Sequence, residues 1–339
     1  MDASKPIPEQ MSAMVLHAQG QALREERRAR PEPRDHEVLV RVGACGVCRT
    51  DLHIVDGELA PHRLPLILGH EVAGTVVKAG AAVTSLRTGQ RVGVPWLGST
   101  CGRCAFCRMH RENLCDQGKF TGYDLDGGYA EYATADAAYC IALPDSYGDL
   151  HAAPLLCAGL IGFRAYSMLG KEISRIGVYG FGAAAHIVTQ VARHDGREVF
   201  ALTRPGDVRS QRFALSLGAS WAGDSDCAPP VALDGALSFA PSGALVPAAL
   251  AHVRKGGDVI CAGIHMSDIP SFPYSLLWGE RQLRSVANLT RADGDAFFRF
   301  ASRHHIDARS VPFPLRQAND ALDALRRGAF DGAAVLVPG

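Results

Sequence analysis

The sequence lacks an excess of charge of either sign, a long apolar run and an export signal. Lysine plus arginine and aspartate plus glutamate number 35 each, so no general field draws the chain to nucleic acid or to acidic lipid. No segment approaches the roughly 18 apolar residues that a membrane span requires. The N-terminal stretch MDASKPIPEQMSAMV has no basic region followed by an apolar one. We therefore expect a cytoplasmic protein whose partner is a small molecule.

Disulfides are not expected either, because the thiols of a protein that is not exported stay reduced. Metal ligation then explains the ten cysteines better than disulfide bonding does. Four of them follow the spacing C-x2-C-x2-C-x7-C. Four thiolates at such short spacing close a tetrahedron around one zinc ion and leave no open position, so this zinc is predicted to be structural. An iron–sulfur cluster is the alternative, although its usual fourth spacing differs. The four predicted ligands are Cys101, Cys104, Cys107 and Cys115.

The 339 residues exceed what one hydrophobic core usually serves, so two domains are expected. Between residues 13 and 139 the apolar runs are short and punctuated by glycine, which predicts a β-rich domain. From about Arg175 strands alternate with glycine turns and helices, which indicates parallel βαβ units. The last apolar segment resembles the first domain, so we expect the C-terminal tail to return and complete it.

A second metal site is suggested by GACGVCRTDLHI at residues 43–54, although the C-x-x-C spacing of Cys45 and Cys48 suits a redox dithiol equally well. A catalytic zinc needs about three protein ligands and an open fourth position. The remaining candidates are Cys48, His70 and Cys157. Taken alone, Cys157 also fits a core position and His70 a turn, so the residues by themselves leave the site open.

A glycine turn, GFGAAA, lies between a predicted strand and a predicted helix. In that context G-x-G-x-x-A predicts a dinucleotide-binding turn. Gly180 allows the tight bend, Gly182 lets the backbone approach the pyrophosphate, and the small Ala185 lets the helix pack on the strand. The predicted cofactor contacts of the turn are Gly180, Phe181, Gly182, Ala183 and Ala184.

The end of the next predicted strand bears on the choice of cofactor. Where an NAD enzyme carries an acid for the adenosine ribose, this chain has Thr203 and Arg204. An arginine there suits the extra 2′-phosphate of NADP, with Arg209 as a second cation. The alternative is a solvated arginine in an enzyme that uses NAD.

Together these motifs resemble the zinc-dependent alcohol dehydrogenases of the medium-chain dehydrogenase/reductase (MDR) family over nearly the whole sequence. The resemblance rests on GVCRTDLH (46–53), GHEVAG (69–74), the four-cysteine segment, LCAG (156–159) and the glycine turn, all in the family's order. It implies an α/β fold with a β-rich part. A GroES-like catalytic domain spans 1–160 and 293–339, with a structural zinc lobe at 99–117, and a Rossmann domain with a doubly wound parallel sheet spans 161–292.

The resemblance also implies roles for the residues of the second site. Cys48, His70 and Cys157 become the ligands of a catalytic zinc, which gives two zinc ions per protein molecule. Asp51 matches the carboxylate that orients the histidine ligand, and Glu71 the acid beside the metal.

The same resemblance implies a path for the alcohol proton and further contacts with NAD or NADP. Thr50 and His53 match the hydroxyl and the imidazole that move this proton. Arg49 matches a phosphate contact. Two more strand ends fall where relatives contact the nicotinamide, at Gly263, Ile264, Asn288, Leu289 and Arg291.

The implied reaction interconverts a small alcohol and its aldehyde. Trp96 matches an aromatic position that lines the alcohol pocket and favours primary alcohols, although it fits core packing nearly as well. Leu59 stands where some relatives carry a second tryptophan, which leaves the outer pocket more open. A C=C reductase, which usually lacks these zinc ligands, and a nucleotide-binding sensor without turnover are the alternatives. Pairing of QLRSVANL (282–289) between copies predicts a homodimer or homotetramer.

Overall fold

The computed structural model describes residues 7–339. Its strands are β1 Gln10–Leu16, β2 Arg24–Ala29, β3 Glu37–Val47, β4 Leu66–Ile67, β5 Val72–Ala79, β6 Arg91–Val94, β7 Leu97–Ser99, β8 Lys119–Phe120, β9 Tyr132–Asp136, β10 Ile141–Ala142, β11 Arg175–Tyr179, β12 Glu198–Thr203, β13 Trp221–Asp224, β14 Leu233–Ser238, β15 Val253–Cys261, β16 Gln282–Ser285, β17 Ser310–Pro314 and β18 Ala333–Val337. Its α-helices are α1 Arg49–Asp56, α2 Ala105–Arg108, α3 Asp149–Ala152, α4 Ala158–Ser167, α5 Ala183–His194, α6 Val208–Ser216, α7 Leu245–His252, α8 Tyr274–Leu277, α9 Arg291–Arg303 and α10 Ala318–Arg326. Between residues 7 and 339 no helix is both long enough and apolar enough to cross a bilayer.

The chain separates into two compact units, one ending at Cys157 and resuming from Asn288 to Gly339, the other spanning Ala158–Ala287. The first unit is built on a seven-stranded sheet in the order β10-β6-β5-β3-β18-β17, with β9 also paired to β3. The C-terminal strand β18 lies antiparallel to β3, so the tail completes this sheet. Alternating apolar residues of β3 and β5 bury one face in the core of the unit. The arrangement places the end of β3 where α1 begins.

The second unit is a six-stranded parallel sheet in the order β13-β12-β11-β14-β15-β16. Numbered within the unit this is 3-2-1-4-5-6, the order of a dinucleotide-binding doubly wound sheet. The central strands β11, β12 and β14 are almost fully buried, because helices cover both faces of such a sheet, whereas the edge strands β13 and β16 are partly exposed. The order reverses between β11 and β14, and ligands bind such sheets at the carboxyl ends of the strands flanking that point. The predicted Rossmann fold is confirmed.

Candidate active site

Helix α1 starts with a cysteine as its N-cap. The Cys48 sulfur accepts a hydrogen bond from the backbone N–H of Thr50 (3.4 Å), and Asp51 Oδ2 accepts one from the backbone N–H of Cys48 (2.9 Å). These reciprocal bonds form a capping box with sulfur in place of the usual hydroxyl oxygen. Four consecutive residues thereby fix the Cys48 thiol at the entrance of the helix.

Three metal-ligating atoms converge at this point. Cys48 Sγ lies 3.1 Å from His70 Nε2 and 4.0 Å from Cys157 Sγ. The hydrogen bond between the two thiols, with the histidine nearby, holds the pKa of Cys48 well below its usual range despite burial, and the same bond raises the pKa of Cys157. One sulfur is thus poised as a thiolate, which is the form that binds metal.

Close backbone approach holds His70 in place. Gly69 has φ +95°, and a Cβ there would lie 2.4 Å from the ring of Tyr129 and 2.7 Å from Cys45 Sγ. Only glycine fits this position, so the G-H pair is required by geometry as well as by chemistry. Cys45 is fully buried, and burial raises the pKa of its thiol, which suits a packing residue and not a ligand.

The residues present fit a zinc ion. With Zn–S near 2.3 Å and Zn–N near 2.0–2.1 Å, tetrahedral geometry places two sulfurs about 3.8 Å apart and a sulfur and a nitrogen about 3.6 Å apart. Asp51 Oδ1 lies 3.5 Å from His70 Nδ1, and within residues 7–339 neither buried atom has a hydrogen-bond partner. A metal on Nε2 would orient the ring and leave Nδ1–H for this carboxylate.

Glu71 joins the group, since one of its carboxylate oxygens lies within 4.8 Å of the ligand atoms of Cys48, His70 and Cys157. It is 2% exposed, and burial raises the pKa of its carboxyl. A Cβ on Gly46 would come within 1.8 Å of Oε2, so the glycine makes room for the carboxylate. Glu71 therefore lies beside the three candidate ligands.

Helix α1 places the two predicted proton carriers at the spacing that puts side chains on one face. Thr50 is 7% exposed, and the side chain of His53 is 16% exposed. His53 Nδ1 is bonded to the carboxylate of Glu58, a partner that the sequence did not suggest. Arg49, the first residue of the helix, is exposed.

Trp96 contacts both the candidate ligand and the core. Its ring meets that of His70 edge-on, with centroids 4.9 Å apart, and stacks on Phe120 at 5.1 Å. Tyr123 lies 5.7 Å away, and Leu59 packs on the same core. Trp96 can therefore both line a substrate pocket and pack in the core. Phe120 and Tyr123 extend its aromatic surface, which the spacing of these residues in the sequence does not reveal.

The four cysteines of the lobe bring their sulfur atoms together. Cys101 Sγ lies 3.9 Å and Cys104 Sγ 3.5 Å from Cys107 Sγ, and with Cys115 all four sulfurs lie within 4.8 Å of one another. These separations exceed a disulfide bond and match a single tetrahedral ion. Backbone N–H groups of Arg103 and Cys104 lower the pKa of Cys101 to about 6, whereas burial raises that of Cys115 to about 11.

The glycine turn follows β11 as predicted. Gly180 has φ +82°, and a Cβ there would lie 2.9 Å from Ala240. Gly182 is the N-cap of α5 and has open space where a Cβ would project, so its backbone is accessible to a ligand. Ala185 is fully buried, whereas Ala183 and Ala184 form the partly exposed first turn. Phe181 packs edge-on against Phe213.

The predicted cofactor cations follow β12, with Arg204 directly after the strand and Arg209 in the first turn of α6. Thr203 is 1% exposed, while Arg204 and Arg209 are exposed. An acid that sequence proximity does not suggest lies beside them, because β13 pairs Asp224 with Thr203. Asp224 Oδ1 accepts hydrogen bonds from the Gly206 N–H (3.1 Å) and from the Gln211 amide (2.7 Å). The Asp224 carboxylate therefore stabilises the turn that follows Arg204.

The remaining predicted cofactor contacts are divided between the units. Gly263 and Ile264 follow β15, and Ile264 is 46% exposed. Asn288, with φ +60°, and the buried Leu289 precede α9.

Arg291 begins α9, and its backbone N–H (3.0 Å) and Nε (3.2 Å) both donate to Glu112 Oε1. Its guanidinium also lies 5.2 Å from the ring centroid of Tyr139, and the side chain is 48% exposed. Arg291, Glu112 and Tyr139 line a cleft of about 480 Å³ in the first unit. Cys48, His70 and Cys157 do not line this cleft. The cleft therefore does not mark the metal-ligating group.

Comparison with known proteins gives this site a context. The alcohol dehydrogenase GroES-like domain family matches residues 34–145. A relative from Mycobacterium tuberculosis, named probable alcohol dehydrogenase AdhA, is 49% identical over 316 residues, 91% of this chain and 90% of that protein.

Two solved structures resemble the protein over nearly its full length. A thermostable alcohol dehydrogenase of Pyrobaculum aerophilum with bound cobalt and zinc is 26% identical, with a TM-score of 0.86 over 97% of this chain and 100% of that one. A dehydrogenase of Sinorhizobium meliloti bound to NADP is 25% identical, with the same TM-score over 98% and 100%.

A GroES-like domain combined with a Rossmann domain defines the MDR class of dehydrogenases. Within this class the chain belongs to the zinc-dependent alcohol dehydrogenases. The predicted family and fold class are confirmed.

Proposed function

We propose that this alcohol dehydrogenase interconverts primary alcohols and aldehydes with zinc at Cys48, His70 and Cys157, and that it prefers NADP to NAD. The observation that carries the proposal is the convergence of two thiols and one imidazole around a single point, beside a buried carboxylate. These three side chains would hold a zinc ion with the number of protein ligands typical of a catalytic site. A zinc ion bound there supplies Lewis acidity, which lowers the pKa of an alcohol hydroxyl.

The protein's own residues handle orientation and the proton. With a metal on Nε2, the Asp51 carboxylate, 3.5 Å from His70 Nδ1, would accept from Nδ1–H and fix the ring. The Thr50 hydroxyl accepts a proton while donating its own, and the His53 imidazole then carries the proton toward solvent. The Trp96 ring against His70 excludes water from one side of the site and offers an apolar surface to the substrate.

Cofactor binding is assigned to Gly180–Ala184, because the N-terminus of α5, which has no side-chain cap, suits a pyrophosphate. The exposed Arg204, directly after β12, and Arg209, in the first turn of α6, are then the cations that would bind the 2′-phosphate. The thiols of both metal groups must stay reduced, which favours a reducing compartment such as the cytoplasm.

The direct test follows reduced-nicotinamide absorbance with NADPH and with NADH against a panel of aldehydes, before and after treatment with a zinc chelator. We expect aldehyde-dependent oxidation that is faster with NADPH and is lost on chelation. A protein that binds two zinc ions yet turns over neither cofactor would be a sensor, and the proposed activity would be wrong.

Replacing Arg204 by alanine should raise KM for NADPH by roughly 10- to 100-fold and leave KM for NADH within about twofold. The reason is the loss of one charge-assisted hydrogen bond to a phosphate, worth about 1.5–3 kcal/mol. Steady-state kinetics with both cofactors measures the change. Arg299→Ala removes an exposed arginine of α9 and serves as the control. Equal losses with both cofactors would show that Arg204 does not read the 2′-phosphate.

A homo-oligomer formed through β16 is a further part of the proposal. Within residues 7–339 this edge strand pairs only with β15, and the segment that precedes it in the chain carries Tyr274 (68% exposed) and Trp278 (65%), whose rings contact each other. Trp278→Glu should shift the mass measured by sedimentation toward the 36.1 kDa of one protomer. Leu215→Glu, at an exposed apolar position of α6, should leave the mass unchanged. An unchanged oligomer in both variants would refute this interface.

A further inference from the structure

The segment that follows α1 is folded back onto the last turn of the helix. Gly57 takes the left-handed conformation, φ +88°, which ends the helix and reverses the chain. The backbone N–H of Leu59 then donates to the His53 carbonyl (2.9 Å). The side-chain amide of Gln19 donates to the carbonyls of Ile54 (3.1 Å) and Leu59 (3.2 Å). The turn that bears Glu58 is thereby fixed on both sides.

This turn presents a carboxylate to one particular atom of His53. The Glu58 carboxylate is bonded to Nδ1, while 60% of the Glu58 side chain remains exposed. A neutral imidazole carries one N–H, and a carboxylate acts only as an acceptor. The pair therefore places the hydrogen on Nδ1 and leaves the lone pair on Nε2.

We propose that Glu58 is a positioning residue for the alcohol proton path, because it fixes the His53 tautomer whose Nε2 accepts protons. The inference rests on the proposed function, in which His53 moves this proton. When the alcohol O–H bond breaks, its electrons stay on oxygen and the proton passes by way of the Thr50 hydroxyl to Nε2. The ring becomes a cation whose Nδ1–H still donates to Glu58. Loss of the proton to water restores the starting tautomer.

The carboxylate acts through hydrogen-bond direction more than through its charge. Glu58 is largely exposed, so solvent screens its attraction for the cationic ring. An amide oxygen in the same place can accept the same Nδ1–H bond. Glutamine should therefore replace Glu58 with little loss, whereas alanine should not.

The experiment compares Glu58→Ala, Glu58→Gln and Asp56→Asn in the zinc-loaded protein. Asp56 is a matched control because it is a carboxylate of the same segment, paired with Arg326 (2.7 Å) and not with His53. For alcohol oxidation we expect kcat to fall about tenfold in Glu58→Ala, by less than threefold in Glu58→Gln, and hardly at all in Asp56→Asn. KM should change little, and added imidazole should restore part of the Glu58→Ala rate.

The tautomer of His53 can be measured independently of turnover. Nitrogen-15 NMR of labelled histidine distinguishes the two tautomers, and the signal of His53 is identified by its absence in His53→Ala. We expect the Nδ1–H form in the native protein and in Glu58→Gln, and a mixture in Glu58→Ala. Thermal unfolding should match in all variants, since Glu58 is exposed.

The outcomes separate the two levels of the proposal. An unchanged rate in His53→Ala would refute the proton path and this inference with it. A slow His53→Ala together with native kcat and tautomer in Glu58→Ala would refute the role of Glu58 alone. A loss in Glu58→Gln as large as in Glu58→Ala would refute the tautomer argument.

Discussion

Replacing Cys157 by alanine is expected to remove one of two zinc ions and to lower kcat for alcohol oxidation by about a thousandfold or more. The sulfur lies 4.0 Å from Cys48 Sγ in a group that has only three Cys or His ligands, so its loss leaves too few to hold the ion. Lewis-acid activation contributes several kcal/mol, and each 1.36 kcal/mol is a factor of ten in rate. Zinc content by elemental analysis and kcat measure the two effects together.

Cys227→Ala is the control for this prediction, because Cys227 is exposed and belongs to neither metal-ligating group. It should keep both zinc ions and the native rate. Circular dichroism should show native helix and strand content in both variants, which separates loss of the metal from loss of the fold. If Cys157→Ala kept two zinc ions and native turnover, the assignment of Cys157 as a ligand would be wrong.

The parts of the site that follow local rules are predictable from the sequence. The capping geometry of Cys48 and Asp51 needs only four consecutive residues, and the left-handed Gly69 is required wherever the backbone turns so tightly before His70. The Rossmann turn is equally local, since Gly180 and Gly182 follow directly on a buried strand. In each case the backbone conformation and the binding of metal or cofactor require the same residue types, so a short sequence pattern is enough to locate that part of the site.

What the sequence does not predict depends on which strands and loops become neighbours. Asp224 lies beside Thr203 only because β13 pairs with β12. Phe120 and Tyr123 meet Trp96 only because β8 pairs with β7. Glu58 contacts His53 because Gly57 reverses the backbone. The sequence indicates a turn at this glycine, but it does not indicate which side chain the turn brings into contact with His53. The first two contacts require tertiary structure and the third depends on the conformation of a local turn, and the last two modify the candidate site itself.

Loss of the lobe's metal should destabilise the protein without first altering the chemistry. The lobe's helix α2 has no buried residue, so the segment has no apolar core of its own and depends on the four sulfurs to stay folded. Cys115→Ala should therefore bind one zinc ion fewer and inactivate at least about tenfold faster on heating, with initial kcat within about threefold of native. Cys140→Ala removes a thiol that belongs to neither metal-ligating group and should retain both ions. Native zinc content and heat stability in Cys115→Ala would show that the four cysteines hold no structural ion.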